Sequence, residues 1–370
     1  MVRIYKKINK YVPLFSIIVI ALGLIAAGLN IAYTQSVPFA DFMNGYVSQP
    51  IRSVFAWITA IVPFSLAEFI LLSSPVIVVT VIVVLCRRAA ISSEHFVRCI
   101  VGVLSVPVLV YVMFVFMFGS GYHTTSMEDK LGLDRRDVSA EELYDTMTVV
   151  IDKLNALADE IVYAEDVGSL RPYSHNDAVW LCVESYADLA DEYDFIPRLN
   201  APVKQIVLSE YMTYTHISGI YTYFTGEANL NTNYPYFVNV FTTAHEMAHQ
   251  RGIAREDEAN FMAYLVCINS DDPFMQYAGY LNMYEYLASP LYSASPKLYS
   301  KAVRELDSTV RYDLTCYSNF FDKYRDNVAA DVSDTVNDTY LKIQGTEGSK
   351  SYGMVVDLAV AYYRPLFETE

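Results

Sequence analysis

The chain has 370 residues, 53% of them hydrophobic, yet it carries a formal net charge of -16 at a mean hydropathy of +0.23. So much apolar content beside so much acid requires the two to be segregated along the chain. Up to Phe118 there are eight Lys/Arg and three acids, while the remainder holds 18 basic and 39 acidic residues; that acidic part excludes nucleic acid as a partner, because phosphate binding needs a Lys/Arg surface.

No residue between Lys10 and Asp41 is charged, and the apolar run at about 13–33 is long enough to cross a hydrocarbon core about 30 Å thick. It is too long for a signal peptide and more apolar runs follow it, so it reads as a retained first span. A second span is predicted at about 66–86, before Arg87 and Arg88, and a third at about 99–119, after Arg98. Lys and Arg in short flanks set orientation. Arg3, Lys6, Lys7 and Lys10 precede the first span; Arg87, Arg88 and Arg98 fill the loop between the second and third; Arg52 alone lies in the first loop. The expectation is a multi-pass membrane protein, its N-terminus cytoplasmic and everything after residue 119 extracytoplasmic. Glu68, the one acid within an apolar run, lies near the end of its span, where its side chain reaches the interface.

From residue 120 the pattern turns helical. Ser139 with Glu142 makes a capping box, and Leu143, Met147, Val150, Ile151, Leu154 and Ile161 recur at helical spacing. Ser174 with Asp177 opens a second helix. Residues 203–208 and 220–225 read as short strands, and after Pro235 the chain is helical with breaks at Gly252, Pro273, Pro290 and Pro296. Two domains are expected: residues 1–119 as an α-helical membrane anchor of three spans, and 120–370 as one mainly α, α+β domain. The cysteines at 86, 99, 182, 267 and 316 form no C-x-x-C pair, hence neither a disulfide framework nor a Cys-based metal site.

The segment from Thr243 to Gly252 contains H-E-x-x-H. Four residues on a helix bring His245 and His249 to one face, the spacing at which two imidazoles reach one zinc ion. Glu246 then stands beside the metal, where a general base takes a proton from zinc-bound water. A catalytic zinc wants a third protein ligand. Gly252 can end the helix in a left-handed turn, and the helix that follows carries both Glu256 and Glu258 within reach. The tetrahedral intermediate needs an oxyanion donor, and Tyr280 and Tyr284 are candidates, although packing is the commoner role of such residues. His175 and His216 have no partner at metal spacing and read as ordinary polar histidines, and His123, just outside the third span, reads equally as an interface residue.

The run R-E-x-x-A-N after H-E-x-x-H resembles the second-helix signature of gluzincin metallopeptidases, with a shorter gap from His249 and Asn where Asp is common. That resemblance implies Glu256 as the zinc ligand and Asn260 as support for a ligand histidine. More widely, Phe224 to Asn229 with Asn231, the segment HEMAHQRGIAREDEANF, Leu341-Lys342 and Ser351-Tyr352-Gly353 are similar to a bacterial membrane family known only as domain-of-unknown-function family 3810. This implies a zincin-like fold and brings no substrate. In zincins the strand upstream of the motif lines the cleft, which points to residues 222–231 with Glu227 and Asn229 as substrate contacts, while Gly226 reads as a turn residue.

The expectation is therefore a membrane-anchored, extracytoplasmic zinc metallopeptidase with one zinc ion, a peptide or protein substrate and the lipid bilayer as partners. The alternative is a zincin-derived envelope module that binds or scaffolds without hydrolysis. An intramembrane protease is excluded, because the motif lies in an acidic context that lipid cannot bury.

Overall fold

The structure is a computed structural model that describes residues 10–134, 136–346, 348 and 354–368. Arg3, Lys6 and Lys7 of the orientation argument and Ser351-Tyr352-Gly353 of the family resemblance lie outside the described residues. The chain is mostly helical, at 72%. It divides into two compact units: residues up to Thr124 together with Thr222–Gly226, and Thr125–Tyr221 together with Glu227 onward.

In the first unit, α1 (Leu14–Gln35), α4 (Leu66–Ile91) and α5 (Ser93–Met117) are each long and apolar enough to cross a membrane. Both α1 and α4 pack on α5. Gly23 permits the approach of α1, since a β-carbon there would stand 2.7 Å from Val108 Cγ1. These helices outrun the apolar segments that predict them. Nothing in residues 87–98 disfavours helix, so Arg87 and Arg88 stay within α4 and Arg98 lies in α5. The expected basic loop between them shrinks to Ser92, which ends one helix and caps the next by accepting from His95 N at 3.3 Å. Glu68 occupies the first turn of α4, where the helix dipole favours a carboxylate.

Two short helices, α2 (Val37–Phe42) and α3 (Gln49–Ala60), flank a π-helical turn at Met43–Ser48. Arg52 on α3 is fully buried. Its guanidinium donates to Met117 O at 2.5 Å, to Asn44 O at 3.3 Å and to Gln49 Oε1 at 2.7 Å, so the charge caps the C-terminal end of α5. The turn Thr222–Gly226 belongs to this unit. Gly226 has φ +71°, and a β-carbon on it would stand 2.9 Å from Ala56 N; Tyr223 meets Phe114 edge-on at 5.4 Å.

The second unit contains α6 (Met127–Leu131), α7 (Ala140–Ala158), α8 (His175–Glu192), α9 (Ser209–Thr213), α10 (Tyr236–Gln250), α11 (Glu256–Ile268), α12 (Pro273–Ala294), α13 (Pro296–Glu305), α14 (Ser308–Asp322), α15 (Val328–Ile343) and α16 (Val355–Phe367). Both capping boxes, at Ser139 and Ser174, are formed. The buried core joins α7 to α12 and stacks α10, α11 and α12 against one another. Helix α12 does not break at Pro290 but continues to Ala294, forgoing the bond that proline cannot donate to the Tyr286 carbonyl.

Strands β1 (Val162–Ala164) and β2 (Gly168–Leu170) form an antiparallel hairpin. A second sheet has the order β3–β5–β4, with β3 (Val203–Gln205) parallel to β5 (Glu227–Leu230), and β4 (Gly219–Thr222) at its edge. β5 lies on α10. The strands are shorter than the β-branched runs that predict them, and the stretch expected as one strand at 222–231 is a turn followed by β5.

Candidate metal centre

Helix α10 carries His245, Glu246 and His249, and it ends in a turn built by Gly252 at φ +90°. Gly252 N donates to His249 O at 2.9 Å and Ile253 N to Ala248 O at 3.1 Å, the two reciprocal bonds of a Schellman turn. Chain reversal puts the Ile253 carbonyl 2.8 Å from His249 Nδ1, which donates to it. It also starts α11 at Glu256, with Glu256, Asp257 and Glu258 in a first turn whose dipole favours acids.

The reversal brings the carboxylate of Glu256 between the two imidazoles. Its Oε2 lies 3.3 Å from His245 Nε2 and 3.6 Å from His249 Nε2. Among the described residues, His245, His249 and Glu256 form a group whose ligand atoms all lie within 4.8 Å of one another. The side chains of His245 and Glu256 each remain 12% exposed, so the cluster opens to solvent.

Burial would lift Glu256, but the charge and hydrogen bonds of His249 and His245 hold it well below the usual carboxylate range. Burial likewise draws His249 down, and Glu256, Glu246 and the Ile253 carbonyl outweigh it and push the ring up to about 9. His245 is lowered, chiefly by burial. Asn260 is buried one turn into α11 and raises the His245 imidazole slightly against burial, although among the described residues neither His245 Nδ1 nor Asn260 Nδ2 has a hydrogen-bond partner.

Glu246 is buried, and among the described residues its Oε2 has no hydrogen-bond partner. Burial pushes its carboxyl up to about 8, His249 opposing and Glu256 adding to the shift. It lies against β4, where a β-carbon on Gly219 would meet Glu246 Oε1 at 2.6 Å.

The remaining candidates lie elsewhere. Glu258 accepts from Met127 N at 2.9 Å and faces Arg255 at 3.4 Å; it ties α6 to α11 and is not one of the three clustered groups. Glu227 is buried with Lys204 at 3.4 Å, and Asn229, fully buried, donates to Ile220 O and Glu227 O. Both are buried on the middle strand of the sheet. Tyr280 packs against Tyr264 at 5.9 Å, and Tyr284 is buried in the core. His175 and His216 donate to the carbonyls of Val203 at 3.0 Å and Tyr324 at 2.7 Å.

Tyr286 is a tyrosine that feels the charge of the cluster. Burial raises its phenol, and the negative charge of Glu256 raises it further. Its ring packs 6.2 Å from Phe241 of α10. Thirty-one tyrosines in the sequence give no signal for it, beyond its place on the helix that follows the motif.

All five cysteines are free. No curated protein and no solved structure matches the chain. Residues 43–360 match the family described as "Protein of unknown function (DUF3810)", and the chain belongs to that family.

Proposed function

We propose that the chain is a membrane-anchored zinc metallopeptidase of zincin type, with His245, His249 and Glu256 as ligands and Glu246 as general base. The observation that carries this reading is the convergence of the three ligand groups within 4.8 Å, beside a buried carboxylate oxygen that has no hydrogen-bond partner among the described residues. Two imidazoles and a carboxylate are the donor set of many catalytic zinc sites. Zinc held there supplies a Lewis acid and a coordinated water of pKa about 7.

The rest of the chemistry falls to the chain's own side chains. The Ile253 carbonyl fixes the His249 ring, and Asn260 supports His245. Glu246, next in sequence to the ligand His245 and buried beside the cluster, accepts a proton from the attacking water in its ionised form and returns it to the leaving amine. Tyr286 stays protonated and donates to the oxygen of the attacked carbonyl. β4, next to Glu246 and at the edge of its sheet, offers backbone groups to an extended peptide. The asymmetry of Lys and Arg supports a cytoplasmic N-terminus and an extracytoplasmic second unit.

Zinc content of the full chain, purified in detergent, tests the site. One equivalent is expected in the parent and in Glu258→Gln, and little in His249→Ala or Glu256→Gln. A folded parent without metal would overturn the proposal. Glu246→Gln then separates an enzyme from a zinc-holding scaffold: zinc is retained, and peptide hydrolysis is lost.

A further inference from the structure

We propose that the end of the first unit where α1 and α5 begin holds a binding site for the phosphate headgroup of an anionic phospholipid. Lys10, Glu94, His95 and Arg98 line a cavity of about 280 Å³ there. Lys10 precedes the first residue of α1 by four positions, and the other three residues occupy the first two turns of α5.

The depth fits a headgroup. Both helices are long and apolar enough to cross a membrane, and Arg98 lies five residues into α5, about 8 Å along its axis. Arg98 Nη1 donates to Val12 O at 3.5 Å, which puts the guanidinium at the seam between the helices. The same two helices carry exposed apolar side chains, Phe15 and Ile18 on α1 and Val97 and Leu104 on α5, which provide a surface for acyl chains.

The charge fits as well. Two cationic side chains, Lys10 and Arg98, and the His95 imidazole share the cavity with one carboxylate, Glu94, which pairs with Lys10. Ser92 Oγ accepts from His95 N at 3.3 Å and lies 2.8 Å from His95 Nδ1, within reach to donate to it. The tautomer that accepts there carries its proton on Nε2, a donor suited to a phosphate oxygen. Arg87 and Arg88, close to the end of α4, add positive field at the same helix turn. A basic pocket between membrane helices at headgroup depth selects anionic lipid over zwitterionic lipid.

Native mass spectrometry of the full chain in nonionic detergent tests the site, with phosphatidylglycerol, phosphatidylcholine or inorganic phosphate added. The parent should retain one phosphatidylglycerol per chain, about tenfold more than phosphatidylcholine. Arg98→Gln and Lys10→Gln should reduce retention about fivefold or more, and Arg87→Gln with Arg88→Gln less than about twofold. Glu94→Gln should increase retention, a gain that misfolding cannot produce. Equal retention of phosphatidylcholine, an equal loss from the Arg87/Arg88 pair, no gain from Glu94→Gln, or displacement of the lipid by millimolar inorganic phosphate would each overturn the proposal.

Discussion

Gly219 of β4 and Glu246 of α10 stand so close that any β-carbon on the glycine would intrude on the carboxylate, 2.6 Å from Oε1. The same β-carbon would meet Thr242 Cγ2 at 2.6 Å, so the strand and the helix leave no slack. Gly219→Ala is expected to destabilise the second unit by about 1–3 kcal/mol through overpacking. It should displace Glu246 and cost about 100-fold in peptide hydrolysis, with zinc content unchanged. In a Glu246→Ala background the stability loss should shrink, which a double-mutant cycle by urea denaturation measures.

Tyr286→Phe removes one hydroxyl beside Glu256. A loss of kcat of about 10²–10³-fold with full zinc content is the expected result, and Tyr280→Phe or Tyr284→Phe should change kcat less than about threefold. Equal effects from all three substitutions would remove Tyr286 as the donor.

Acid weakens the second unit through Glu142. Its carboxylate is held down to about 2 by the Ser139 backbone N–H, and by Arg364 Nε at 2.7 Å and the Ser139 hydroxyl, burial opposing them. A depressed carboxyl stabilises the fold above its unfolded pKa, about 4.3, and loses that contribution as pH falls toward 2. The contribution is about 1–2 kcal/mol, reduced from the full shift because the group is partly exposed to solvent. Urea midpoints of the parent between pH 6 and pH 3 should drop by more than those of Glu142→Gln.

Arg52→Gln strands the Met117 carbonyl and shortens a side chain that fills its site completely. The expected cost to the first unit is about 2–4 kcal/mol, read as a lower unfolding temperature of the full chain in detergent.

What could be read in advance follows the range of the interactions involved. The capping boxes at Ser139 and Ser174, the three apolar helices and the pairing of His245 with His249 depend on neighbours within a few residues, and each has a local pattern. The zincin resemblance puts Glu227 and Asn229 along a cleft, and no local pattern says which strand of the sheet carries them. Only the long-range pairing of β3 with β5 puts them inside. Tyr280 and Tyr284 share a helical face, whereas Tyr286 lies two residues, about 200°, further round. Choosing among them needed the packing of α12 on α10 and α11, which spacing does not encode.

The turn Thr222–Gly226 bears on how this protein is handled at the bench. A fragment beginning at residue 125 would keep the turn and discard Phe55, Ala56 and Phe114, the groups that Gly226 and Tyr223 pack against. Truncation would therefore leave Tyr223 wet and let the loop fray, with β4 and Gly219 at its root three residues away. Solubilising the intact polypeptide, rather than trimming it, keeps the Glu246 wall in register.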